Sequence, residues 1–164
     1  GSWAPGGLAE AAMSGFEPGD GLRLIDLGEG LEDVLPLICY EALFAEEIIA
    51  APRPQWILHI TNDAWFGRIA GPYQHLAQAR LRAVEEGLPL VRAANSGISA
   101  IVDGHGRIRH RLGLGLAGIL DGNLPQALPP TVYAQYGDWP FLALLVAVIC
   151  VAGYRQFTFR LRSN

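Results

Sequence analysis

Three short apolar runs constrain this chain more than any other feature: VLPLIC at 34–39, WILHITN at 56–62 and LPLVRAAN at 88–95. They are strand-length and nearly uncharged, as strands buried on both faces of a parallel sheet are. Pro36 removes one ladder hydrogen bond from the first run and places it at a sheet edge or a bulge. After that run, EALFAEEIIAA puts Phe44, Ile48 and Ala51 on one helical face before Pro52 and Pro54 stop it. After the second run, NDAWFGRIAG reads as a loop and PYQHLAQARLRAVEEG as a helix opened by Pro72 and closed by Gly87. SAIVDGHGRIRHRL reads as two strands around Asp103-Gly104-His105-Gly106, with Asp-Gly supplying the positive φ of a tight turn. Strands alternating with helices and ending in a hairpin predict an α/β fold with a mixed sheet.

The 164 residues, 51% of them apolar, suffice for one domain with a core. A net charge of −4, with arginines scattered among acids, excludes the basic field of a nucleic-acid binder. Every cationic side chain is arginine, so a mechanism that needs an amine must find it elsewhere. The start at Gly1-Ser2 and the single methionine, Met13, suggest a piece of something longer. Two cysteines without a CxxC, and four unclustered histidines (His59, His75, His105, His110), predict no metal, no cofactor and no disulfide framework.

The chain divides into a lead-in loop with a short strand near Leu22 to Leu27 (1–33), a core (34–120), a proline-rich linker (121–138), an apolar helix (139–159) and a tail (160–164). Trp139 to Tyr154 carries no charge and would span about 24 Å as a helix, against about 30 Å of hydrocarbon. Extending it to Phe159 while Arg155 snorkels gives about 31 Å, so a transmembrane helix is expected. The alternative is a buried core helix. Arg155, Arg160 and Arg162 place the tail in the cytoplasm by the positive-inside tendency, and the globular part on the periplasmic side of a bacterial inner membrane. Cys150, inside the apolar run, reads as packing.

Cys39 ends a buried strand immediately before a helix, where the helix's positive end favours a thiolate and free backbone N–H groups can hold an oxyanion. That geometry suits acyl transfer. An inert buried cysteine remains open on these grounds alone.

ICYE at 38–41, TNDAWFG at 61–67 and GPYQHLAQARLRAVEEGLPLVRAANSGISAIVDGHG at 71–106 occur in that order. As an ordered set they resemble the carboxyl-terminal half of the nitrilase (carbon–nitrogen hydrolase) superfamily and, within it, the apolipoprotein N-acyltransferase family. The resemblance runs from about Ala12 through YAQYGDWP to the last helix. It implies half of an αββα sandwich followed by one transmembrane helix. It also implies a Glu-Lys-Cys triad in which Cys39 takes an acyl chain from a phospholipid as a thioester and passes it to the α-amine of an apolipoprotein's diacylglyceryl-modified cysteine. Tyr40 and Glu41 match residues the family needs beside the nucleophile: the N–H after the cysteine helps bind the oxyanion, and Glu41 orients neighbouring groups or the amine. A helix-start carboxylate is the plainer reading of Glu41.

Trp65 and Phe66 lie at the same sheet edge as Cys39 and line a substrate groove or, equally, cap the core. Asn62, Asp63 and Asn95 either support the site or form turns. His75, Arg80 and Arg82 are assigned to the helix and its salt links. The triad's Glu and Lys are expected upstream of residue 1, so the chain alone is expected to be inactive. The competing readings are a soluble-type amidase using the same thiol and an inactive membrane-tethered binding module. Nothing in the sequence indicates an oligomeric state.

Overall fold

The structure, a computed structural model, describes residues 21–28, 30, 31, 33–50 and 52–162. Most of the lead-in expected over 1–33, Ala51 and the last two tail residues lie outside the described residues. Five strands form one sheet in sequence order: β1 (Val34–Ile38), β2 (Trp56–Asn62), β3 (Leu90–Asn95), β4 (Ser99–Val102) and β5 (Ile108–Leu112). β1, β2 and β3 are parallel, while β4 and β5 are antiparallel additions. The sheet is therefore mixed and the fold α/β. Parallel neighbours require crossover connections, here through α1 (Ala45–Ala50) and α2 (Gly71–Glu86).

Register decides what the helices cover. Leu35, Ile57 and Leu90 share one row of the sheet, and Leu37, His59 and Arg92 share the next row of the same face. Leu76, Ala79 and Ala83 lie at helical spacing on α2 and join Leu35, Leu37, Ile57 and Leu90 in the buried cluster. Ile38 and Ile60 point to the opposite face and are exposed. β1 forms the edge among the described strands, where Pro36 requires no ladder donor. Pro72 sits in the first turn of α2, and Gly87 closes that helix with a left-handed φ of 67°.

Several expectations need correction. The strand near Leu22 to Leu27 reduces to one antiparallel bridge, Ile25 to Val34. In the hairpin the positive φ falls on Gly106, not Gly104. Gly104 is required because a Cβ there would lie 2.7 Å from the Gly87 carbonyl oxygen, and the Asp103 carboxylate holds the turn by accepting from the His105 and Arg107 N–H groups. The linker is docked against the domain: Leu128 N–H donates to Gly87 O at 2.8 Å, and Arg53 donates to Leu128 O at 2.8 Å. It also contains α3 (Val132–Tyr136), whose N-cap Thr131 accepts from Ala134 N–H.

The last element, α4, runs Trp139–Arg162. Phe141, Leu144, Val146, Ile149 and Val151 are all exposed, so α4 is not a buried core helix. Cys150 is exposed as well and packs in no core. No helix among the described residues is long and apolar enough to cross a membrane.

Candidate active site

Cys39 is the first residue after β1, half-buried, and held at φ 50°. A side-chain-bearing residue in the left-handed region costs about 1–2 kcal/mol, so surrounding contacts must fix it there. The chain then makes a 3₁₀ turn, Cys39–Leu43, and leaves helical geometry at Phe44 (φ −94°, ψ 89°) before α1 begins. The continuous helix expected after Tyr40 is thus two pieces with a break. A five-residue 3₁₀ turn carries little macrodipole, and the helix-dipole argument for the thiolate loses most of its force. Glu41 folds back so that its Oε2 accepts the Ile38 N–H at 2.6 Å, which braces the turn at its start.

The constraint on Cys39 comes from below. His59 Nε2 lies 3.0 Å from the Cys39 carbonyl oxygen, and His75 Nε2 lies 3.3 Å from it. Arg92 Nη1 stands 2.7 Å from His59 Nδ1. A guanidinium can only donate, so Nδ1 accepts and Nε2–H donates to the carbonyl. Burial, then the Arg92 charge, lowers the His59 pKa to about 4 and keeps the ring neutral. Arg92 Nη2 in turn pairs with Asp63 Oδ2 at 2.6 Å, with both side chains fully buried, and its Nε donates to Ile98 O. The other Asp63 oxygen accepts from Thr61 and lies 2.8 Å from His75 Nδ1. A Cβ on Gly97 would overlap the Asp63 carboxylate, so glycine is required where that loop passes. Four polar side chains from β2, the turn after it, α2 and β3 converge beneath one peptide group.

Tyr40, Phe66 and His75, with Gly71, Gln74 and Gln78, line a cavity of about 220 Å³ beside the cysteine. The Phe66 ring centroid is 5.0 Å from that of His75. Trp65 is 86% exposed and does not line this cavity. Asn62 and Asn95 join weakly at 3.4 Å, and Asn62 caps the Asp63–Phe66 turn through Ala64 N–H. Arg82 pairs with Glu85, in keeping with a salt-link role, whereas Arg80 donates to the Gly106 carbonyl of the hairpin turn rather than to a carboxylate. His75, by contrast, belongs to the cluster beneath the cysteine. Sequence reasoning misses the places of His59 and Arg92, although a polar residue in each of two apolar runs, in phase with the core-facing positions, is a readable signal. Among the described residues no three metal-ligating side chains come together.

A strained cysteine at the carboxyl end of a parallel strand, with polar groups buried under its carbonyl, is the arrangement of a candidate thiol nucleophile of the carbon–nitrogen hydrolase class. The chain matches the carbon–nitrogen hydrolase family over residues 2–128 and belongs to that family. It is similar to the apolipoprotein N-acyltransferase of Rhodopseudomonas palustris, with 59% identity over 117 residues that make up 71% of this chain and 22% of that protein. It is also similar to the apolipoprotein N-acyltransferase of Sinorhizobium medicae, with 40% identity over 164 residues, 99% of this chain and 31% of that one. The chain thus spans between 22% and 31% of the length of these relatives. Among solved structures it resembles an amidase mutant from Nesterenkonia sp. AN1 showing the result of Michael addition of acrylamide at its active-site cysteine. That likeness has 26% identity, a TM-score of 0.51, and coverage of 74% of this chain and 48% of that one.

Proposed function

We propose that this chain is the thiol-bearing part of a phospholipid-dependent acyltransferase that N-acylates the amino-terminal diacylglyceryl-cysteine of bacterial apolipoproteins. The observation that carries the reading is the left-handed Cys39 at the open end of the sheet, its carbonyl turned into a buried polar cluster, in a chain so similar to proteins of that name. In the first step Cys39 Sγ attacks the acyl ester carbonyl of a phospholipid. The ester C–O bond breaks, the lysophospholipid leaves as the alcohol with the thiol's proton, and a thioester remains. In the second step the apolipoprotein α-amine attacks the thioester. The C–S bond breaks, an amide forms, and the proton lost by the amine returns to sulfur.

The chain contains no lysine, so a triad lysine has to be supplied from outside these residues, and without it turnover is negligible. Tyr40 and Phe66 border the substrate beside Cys39. Trp65, exposed on the turn after β2, meets the lipid or the lipoprotein. Glu41 acts through the turn it braces. The exposed apolar surface of α4 from Trp139 to Tyr154 is short of a full span, and supports an anchor in the inner membrane through extension to Phe159 with Arg155 snorkelling, which puts the globular domain in the periplasm and the tail in the cytoplasm.

Mass spectrometry of the full-length protein after exposure to phospholipid tests the reading. An acyl adduct on Cys39, absent from Cys39→Ser, is expected; no adduct, or one on another residue, sinks it. The similarity to an amidase keeps small-amide hydrolysis as the second reading, which release of ammonia from simple amides without any lipid adduct would favour.

A further inference from the structure

The cluster formed by Asp63, Arg92, His59 and His75 has no substrate-facing task in the chemistry above. Its members are almost entirely buried; His75 also reaches the cavity wall, while His59 meets the site at the carbonyl oxygen of Cys39. That oxygen belongs to the Cys39–Tyr40 peptide. No described peptide bond is cis, and in a trans peptide the C=O and the N–H point in opposite directions. Drawing the carbonyl inward therefore turns the Tyr40 N–H outward, toward the face on which a tetrahedral intermediate on Cys39 would form. As the second residue of the 3₁₀ turn, Tyr40 has no intrahelical acceptor for that N–H. A hydrogen bond accepted by the carbonyl also polarises the peptide and strengthens its N–H as a donor.

We infer that His59 is a positioning residue for acylation: oriented by the Arg92–Asp63 ion pair, its Nε2–H anchors the Cys39 carbonyl and so aims the Tyr40 N–H at the oxyanion. The inference rests on the acyl-transfer reading and deepens it. The order of the relay follows from donor chemistry. Asp63 fixes Arg92, Arg92 occupies His59 Nδ1, and the only tautomer left is the one that donates to the carbonyl. His75 holds the other Asp63 oxygen. Its Nε2 lies 3.3 Å from the same carbonyl oxygen.

The test separates oxyanion chemistry from thiol reactivity in the full-length protein. Acylation of Cys39 by phospholipid vesicles passes through an oxyanion. Alkylation of Cys39 by iodoacetamide is a direct displacement and does not. His59→Gln keeps a donor near the Nε2 position, whereas His59→Asn can satisfy Arg92 but falls short of the carbonyl. His59→Asn is expected to slow acylation by about 10²-fold, and His59→Gln by less than about ten-fold. Half-saturating lipid and the alkylation rate should be unchanged in both. Unchanged acylation in His59→Asn overturns the inference, as does a change in alkylation as large as that in acylation, which marks a purely structural role. Failure of the wild type to acquire an acyl group on Cys39 overturns the acyl-transfer reading, and this inference with it.

Discussion

Arg92 and His59 occupy the same row of neighbouring parallel strands, and the guanidinium of the first donates to Nδ1 of the second at 2.7 Å. Burial opposes protonation of the imidazole, and the cation facing it opposes it further, so the ring stays neutral down to about pH 4. Backbone register thereby sets the charge state of a side chain that touches the Cys39–Tyr40 peptide.

That charge state has a pH signature. His59 is held below its ordinary 6.5, at about 4, so as pH falls the unfolded chain takes up the proton first. Its contribution is present above about pH 6.5 and is lost progressively down to about pH 4, up to about 3 kcal/mol. Urea unfolding across that window should show a shallower decline for His59→Gln than for the wild type. Parallel declines would contradict the assignment.

Removing Arg92 leaves the buried Asp63 carboxylate without its guanidinium partner. Arg92→Met should destabilise by about 3–5 kcal/mol. Adding Asp63→Asn should recover part of that loss, so the double variant unfolds at a higher denaturant concentration than the sum of the single changes allows. Additive losses would mean that the 2.6 Å pair is not coupled.

The φ of 50° at Cys39 predicts an inversion of the usual order of substitutions. Cys39→Gly should be more stable than Cys39→Ala by about 1 kcal/mol, because glycine enters the left-handed region without a Cβ penalty. Thermal melts of the two variants decide it, and an alanine variant of equal or greater stability counts against a strained elbow.

If α4 anchors the protein in a bilayer, one charge at its middle is costly. Leu145→Arg should weaken membrane insertion by about 3 kcal/mol and move protein from the membrane pellet into the carbonate-soluble fraction. Unchanged fractionation would count against the anchor.

Much of the fold was legible because its signals are local. The apolar runs mark β1, β2 and β3, and Pro72 and Gly87 bracket α2. The break at Phe44 was not legible. EALFAEEIIAA is compatible with one helix, and the 3₁₀ turn depends on Glu41 bonding back to Ile38, a choice that propensity does not register. At the site, Cys39 and Tyr40 stand out by motif, whereas His59, His75 and Arg92 sit in segments whose local pattern is explained by strand and helix alone.

The sequence by itself determined the alternation of strands and helices, the position of the thiol at a strand end and the apolar character of the last helix, since each follows from neighbours along the chain. Tertiary structure alone decided that Asp63, His75 and Arg92, up to 29 residues apart in the chain, meet under the carbonyl of Cys39. Strand register and the packing of α2 bring them together. Burial then makes their mutual hydrogen bonds obligatory, because an unpaired polar group there would forfeit its solvation with nothing in return.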